Sequence, residues 1–179
     1  MKFGDIETVG SHTFVCGDLE GKTPLREFLK THRPDLAYFS FPADRGVAQS
    51  YRDDKHVDLI ELLNAALQPS RDYKLLTFVE CLPYPEILEV LNPAAQWECS
   101  FGAPCVIVAT DLRETPMNDY PDLSGLHVND AVKIVMDHYK PKLVLDVMAG
   151  EGSTALASQS STSHDINPRS LETAMQRCK

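Results

Sequence analysis

Cysteine is scarce and shows no pairing pattern. The five residues, Cys16, Cys81, Cys99, Cys105 and Cys178, are odd in number and include no Cys-x-x-Cys. That argues against a disulfide framework or a zinc ribbon and leaves reduced, mostly buried thiols. The six histidines show no metal-ligand spacing. His127 and His138, for example, are too far apart to share a helical face, so no metal is expected. Basic residues are in deficit: 17 Lys and Arg stand against 26 Asp and Glu, a formal net charge of −9. The long-range field therefore does not draw nucleic acid, and only a local basic patch would. No apolar run approaches a membrane span, and no apolar leader core follows Met1, so a cytoplasmic chain off the membrane is expected. Internal repeats and low-complexity segments are absent. So is Gly-x-x-x-x-Gly-Lys-Ser/Thr, which excludes a phosphate-cradling P-loop.

What remains is an ordinary soluble composition, 43% hydrophobic and 24% charged over 179 residues. That length suits one domain, 1–179, around a single core. Thr13 to Cys16 reads as a short strand closed by Gly17-Asp18, and Pro24 to Lys30 as a helix with proline in its first turn. Leu36 to Phe41 is a buried strand ended by Pro42. Apolar spacing predicts a helix over Val57 to Leu67. A strand follows at Lys74 to Glu80 and a short helix at Pro85 to Leu91. Gln96 to Ser100 and Pro104 to Thr110 read as an antiparallel hairpin. Glu114 to Gly125 is a loop. Val128, Ala131, Val132, Val135 and Met136 share one face of a helix running to Tyr139, with Asn129 or Asp130 as candidate caps. Leu143 to Val147 is a strand, a helix opens at Ser153, a strand ends at Asp165, and the last helix begins at Pro168. This alternation predicts an α/β fold with a mostly parallel, Rossmann-like sheet and an antiparallel edge hairpin.

The chemistry concentrates near the end of the chain. Leu143-Val144-Leu145 leads into Asp146, then Ala149-Gly150-Glu151-Gly152, then Ser153-Thr154 opening a helix. A doubly wound sheet presents a tight glycine turn to a nucleotide-like ligand in this way. A plain strand-to-helix turn and a dinucleotide site are the competing readings. The lack of a third glycine weakens the dinucleotide reading. Asp165 ends the next strand about twenty residues on, placed to accept ribose hydroxyls of an adenosyl group. Alternatively, Asp165 only caps the last helix.

Asp-Val-Met-Ala-Gly-Glu-Gly-Ser-Thr resembles the Asp-Pro-Phe-Ala-Gly-Ser-Gly-Ser-Thr signature of S-adenosylmethionine-dependent DNA amino-methyltransferases. Ser-His-Asp-Ile-Asn-Pro (163–168) is similar to their Gly-x-Glu-x-Asp-Pro element. Gly4-Asp5, Val9-Gly10-Ser11-His12 and Val15-Cys16-Gly17-Asp18 resemble the opening of one such group. The resemblance implies a circularly permuted member. Its catalytic half, about 11–112, precedes its cofactor half, about 126–179, and the chain starts at the third strand of the sheet. It also implies S-adenosylmethionine as cofactor, held by Cys16, Gly17 and Asp18 on the adenine side and by Asp146, Met148, Gly150, Gly152, Ser153, Thr154 and Asp165.

The catalytic strand departs from that pattern. The family's strand ends in Asp/Asn/Ser-Pro-Pro-aromatic, whose first side chain and next carbonyl accept from a base amino group while the ring stacks on the flipped base. Here Ser40, Phe41 and Pro42 are the implied catalytic residues, followed by Ala43. Loss of the stacking ring removes on the order of 1–3 kcal/mol; Phe41 and Tyr51 are candidate substitutes. Asp44 reads as a solvated turn residue. No room is left for a separate target-recognition domain. DNA contact therefore falls to the loop 44–55, with Arg45, Arg52 and Lys55, whereas the acidic loop 114–125 would repel phosphate. Two functions follow: methyl transfer to an exocyclic amino group of a DNA base, or a catalytically weak or inactive relative that binds cofactor, a protein partner or a second copy of itself.

Overall fold

The computed structural model describes residues 1–19, 23–41, 58–101, 104–116, 118–165 and 167–179. Eight strands form one sheet: β1 (Ile6–Val9), β2 (His12–Cys16), β3 (Leu36–Ser40), β4 (Leu76–Cys81), β5 (Ala95–Ser100), β6 (Pro104–Asp111), β7 (Val144–Asp146) and β8 (Ser161–Asp165). Six helices lie among them: α1 (Pro24–Leu29), α2 (Leu59–Tyr73), α3 (Pro85–Leu91), α4 (Val128–Tyr139), α5 (Ser153–Ala157) and α6 (Pro168–Arg177).

The strand order is β1-β2-β8-β7-β3-β4-β6-β5. The five strands from β2 to β4 are mutually parallel. β1 on one side, and the β6–β5 pair on the other, run antiparallel to their neighbours. The central strands carry apolar residues on both faces, as a doubly covered parallel sheet requires. Leu36 to Phe39 and Leu76 to Val79 are buried throughout.

Alternation sends Ala37, Phe39, Val79 and Leu145 to one face, under Leu25 and Leu29 of α1, Leu62, Leu63, Ala66 and Leu67 of α2, and Ile87 and Leu91 of α3. The other face carries Leu36, Tyr38, Phe78, Ile107 and Val144 against Val128, Ala131, Val132, Val135 and Met136 of α4. A third cluster, Phe14, Cys16, Ala149, Ala155, Leu171 and Ala174, joins α6 to the β2 edge.

The strand order fits the permuted order that the resemblance implies. β7 stands where the first strand of a doubly wound half belongs, β8 beside it as the second, and β2, from the other end of the chain, as the third. The fourth and fifth positions, on the other side of β7, are β3 and β4. The direction of winding thus reverses between β7 and β3, which is where open α/β sheets bind ligands.

Several boundaries differ from those read in sequence. α2 begins at its cap Asp58, which accepts from Ile60 N and Glu61 N, and runs through Pro69 to Tyr73. A proline this near the C-terminal end is compatible with its helix because burial of Ala66, Leu67, Pro69 and Ser70 holds the last turns down. Lys74 then ends the helix in the left-handed conformation (φ 54°), so the next strand starts at Leu76. The cap of α4 is His127, whose Nδ1 accepts from Asn129 N at 3.2 Å, rather than Asn129 or Asp130. The cap of α6 is Asn167, not Asp165. β1, mostly exposed, is an additional edge strand. No helix among the described residues is long and apolar enough to cross a membrane.

Candidate functional site

The Asp146 loop is built around a buried carboxylate. Asp146 ends β7 at 2% exposure. Its Oδ1 accepts from Met148 N at 3.2 Å, and the Thr154 hydroxyl at the start of α5 bonds to it. Burial pushes its carboxyl up to about 7, and the charges of Asp165 and Glu80 push the same way. The Met148 side chain itself packs into the core with Leu145 and Val147. Ser153 is exposed at the first position of α5.

The two glycines of the loop have different jobs. Both are left-handed, Gly150 at φ 48° and Gly152 at φ 81°, a conformation that strongly favours glycine. A Cβ on Gly152 would stand 2.7 Å from Ala174 Cβ and 3.2 Å from Ala174 Cα, so Gly152 lets α6 pack directly on the loop. A Cβ on Gly150 would meet nothing within 4 Å. The backbone there is open to close approach by a ligand.

Asp165 holds the loop in place. It is 1% exposed; its Oδ2 accepts from Gly150 N at 2.9 Å and its Oδ1 from Asn167 N at 2.8 Å. The N-terminal segment is brought to the same place. Cys16 is the register partner of Asp165, and Gly17 N donates to the Asp165 carbonyl at 3.2 Å. His164, buried beside it, donates from Nδ1–H to the Val147 carbonyl at 3.0 Å and presents Nε2 toward Gly17. Burial lowers the His164 pKa, and the nearby Asp165 and Asp18 charges oppose that. Residues 16–18 and 146–165, far apart in sequence, therefore form one continuous surface at the strand ends.

β3, with the expected catalytic residue Ser40 at its end, meets this surface across the reversal of winding. β3 and β7 pair only at Leu36↔Val144 and Ala37↔Leu145, although β3 continues to Ser40. Beyond Ala37↔Leu145 the register of the two strands holds no further pair, so Asp146 and Ser40 stand at the strand ends on either side of the reversal of winding. Ser40 is exposed, and its hydroxyl donates to Glu80 Oε2 on β4. Tyr38, fully buried, donates to Glu80 Oε1 at 2.7 Å. Burial and the adjacent Glu80 hold the Tyr38 phenol well above its ordinary pKa.

Phe41 is 5% exposed and packs in the core with Phe39 and Val79. It therefore does not serve as a substitute stacking platform, a correction to the sequence expectation. Pro42 and Ala43, and the loop 44–55 with Asp44, Arg45, Tyr51, Arg52 and Lys55, lie outside the described residues.

Sequence reasoning missed Glu80, because it joins the site only through strand register, opposite Ser40. It also missed two exposed rings at this end of the sheet. Tyr84 follows β4 at 44% exposure, and Phe101 follows β5 at 66%.

The fold is that of solved structures that include proteins complexed with S-adenosylmethionine. Among solved structures, M1.HpyAVI in complex with S-adenosylmethionine superposes with a TM-score of 0.63 at 12% identity, covering 94% of this chain and 99% of that one. TTHA0409 of Thermus thermophilus, a DNA modification methylase by name, superposes at 0.60 with 14% identity, covering 92% and 93%. It is also known complexed with S-adenosyl-L-methionine. No protein-family model matches the chain, and no curated protein matches it in sequence. At these identities the likeness is one of fold.

Proposed function

We propose that the chain binds S-adenosylmethionine in the cleft between β7 and β3 and methylates an exocyclic amino group of a DNA base. The observation that carries this reading is the parting of β3 and β7 after Ala37↔Leu145. The glycine loop, the buried acid Asp146 and the Ser40 hydroxyl all belong to strand ends at the reversal of winding, which supports a ligand site there. The residues present fit the cofactor. Gly150 leaves its backbone open to approach. Asp146 and Asp165 supply carboxylates at adjacent strand ends, and Cys16, Gly17 and Asp18 stand beside Asp165.

Bound there, S-adenosylmethionine supplies a methyl group activated by its sulfonium sulfur. The chain's own residues do the rest. Asp165 fixes the loop through Gly150 N, and Asp146, tied to Met148 N and Thr154, fixes its root. Ser40 donates its proton to Glu80, so the Ser40 oxygen is turned as an acceptor toward an incoming N–H. Holding the amine in line with the methyl group is the main catalytic contribution of such a site. The implied roles of the Phe41 carbonyl and Pro42 complete this arrangement.

The test is transfer of labelled methyl from S-adenosylmethionine to unmethylated DNA, with Ser40→Ala as the comparison. Incorporation that falls at least about tenfold in the variant supports the reading. No incorporation above a DNA-free control by the wild-type chain counts against it.

A second reading has its own support in the burial of Phe41 and the absence of an aromatic residue at 43. In that reading the chain keeps the cofactor site, methylates weakly or not at all, and acts through a protein partner or a second copy of itself. Cofactor binding without methyl transfer is its signature.

A further inference from the structure

Glu80 is more than a partner for its neighbours. Tyr38 lies stacked at 6.1 Å on Phe78 and is 1% exposed, so its buried hydroxyl needs one acceptor, and Glu80 Oε1 provides it. The second oxygen exceeds that need. Oε2 accepts from the exposed Ser40 hydroxyl at the end of β3. Among the described residues no cation pairs with Glu80. A carboxylate has about four acceptor sites, and only two are filled by these hydroxyls. The half-buried group at the end of β4 thus has acceptor capacity to spare beside Ser40, an arrangement that favours a donor ligand.

We infer that Glu80 is the carboxylate acceptor for the target amino group, standing in from β4 for the acid that Ser40 does not provide on β3. This rests on the methyltransferase reading above. Glu80 Oε2 and the Ser40 oxygen together accept the two N–H bonds of the amine and aim its lone pair at the methyl carbon. As nitrogen gains the methyl group, the carbon–sulfur bonding pair stays with sulfur. Glu80 takes the proton that nitrogen sheds and passes it to water. The substrate class is an amine on a planar base, and the matching keto base is discriminated against because it offers no amino donors.

The test compares the full wild-type chain with Glu80→Gln in three measurements. Calorimetry reads S-adenosylmethionine affinity. Single-turnover transfer of labelled methyl to random-sequence single-stranded DNA reads the rate. Saturation-transfer NMR without cofactor compares deoxyadenosine and deoxycytidine with deoxyinosine and deoxyuridine. Expected for Glu80→Gln are unchanged cofactor affinity and thermal melting, a rate about 10²-fold lower, and loss of the wild-type preference for the amino nucleosides. A variant within about threefold of the wild-type rate that keeps that preference overturns the inference. So does a variant that loses rate only together with cofactor affinity or folding. If the wild type binds cofactor but methylates nothing, the nucleoside preference and its loss in Glu80→Gln decide the matter alone. If the wild type neither binds cofactor nor transfers methyl, the methyltransferase reading itself fails, visibly and before any variant is compared.

Discussion

At the scale of single residues, Gly150 and Gly152 separate ligand binding from folding. Gly150→Ala puts a side chain into open space at φ 48°, a strain of about 1 kcal/mol. The expected outcome is a folded protein, seen in a thermal melt, that has lost cofactor affinity. Gly152→Ala drives a Cβ to 2.7 Å from Ala174 in addition to the same backbone strain. A loss of about 3 kcal/mol or more in urea unfolding is expected. Asp146 yields a pH signature. Its carboxyl ionises near 3.9 in an unfolded chain but is pushed up to about 7 when folded. The folded state therefore binds the extra proton between those values. The stability this group contributes is full below about pH 4 and is lost as pH rises through about 7, on the order of 3–4 kcal/mol. Asp146→Asn keeps an acceptor for Met148 N and has no charge to bury. Urea melts at about pH 5 and about pH 8 should show a shallower decline in the variant than in the wild type; equal declines would contradict the assignment.

At the scale of elements, the fold rests on a few long-range ties between the two halves of the chain. Asp35, just before β3, accepts from Lys142 N and Leu143 N, each at 2.9 Å. It joins the start of β3 to the entry of β7. Asp35→Ala leaves two backbone donors without that acceptor, and a loss of about 1–3 kcal/mol in urea unfolding is expected. Such ties explain what the sequence disclosed. α3 and α4 begin and end where their apolar period and flanking residues put them, because those signals are local. The glycine loop and the position of Asp165 at a strand end were legible for the same reason, whereas Cys16–Asp18 was singled out only by its resemblance to the family's opening. β1 was not: its exposed residues bear no core-facing alternation, and only pairing with β2 makes it a strand. α2 was read two turns short because a proline inside a helix is locally unfavourable, and tertiary burial overrides it. Glu80 lies forty residues from Ser40 and enters the cleft through register alone, which no local pattern carries. The buried ring of Phe41 was hidden likewise, since the sequence does not say which face of β3 it takes.

At the scale of the whole molecule, charge and fold pull in different directions. The proposed DNA-methylating site would sit on a chain of net charge −9, so attraction to phosphate must be local. Arg45, Arg52 and Lys55 are the basic residues of the loop 44–55. If they supply the phosphate contacts, the logarithm of DNA affinity falls with the logarithm of salt with a slope of about −3 or shallower. Fluorescence anisotropy over a salt series reads that slope. Changing all three to alanine should bring it close to zero, and an unchanged slope would place the DNA contact elsewhere.

The cofactor site is the claim on which the rest depends. It is tested most directly by calorimetric titration of the wild-type chain with S-adenosylmethionine. The expected result is saturable one-to-one binding that Gly150→Ala abolishes in a protein that still melts cooperatively. No heat of binding from the folded wild-type chain at millimolar cofactor would contradict the account.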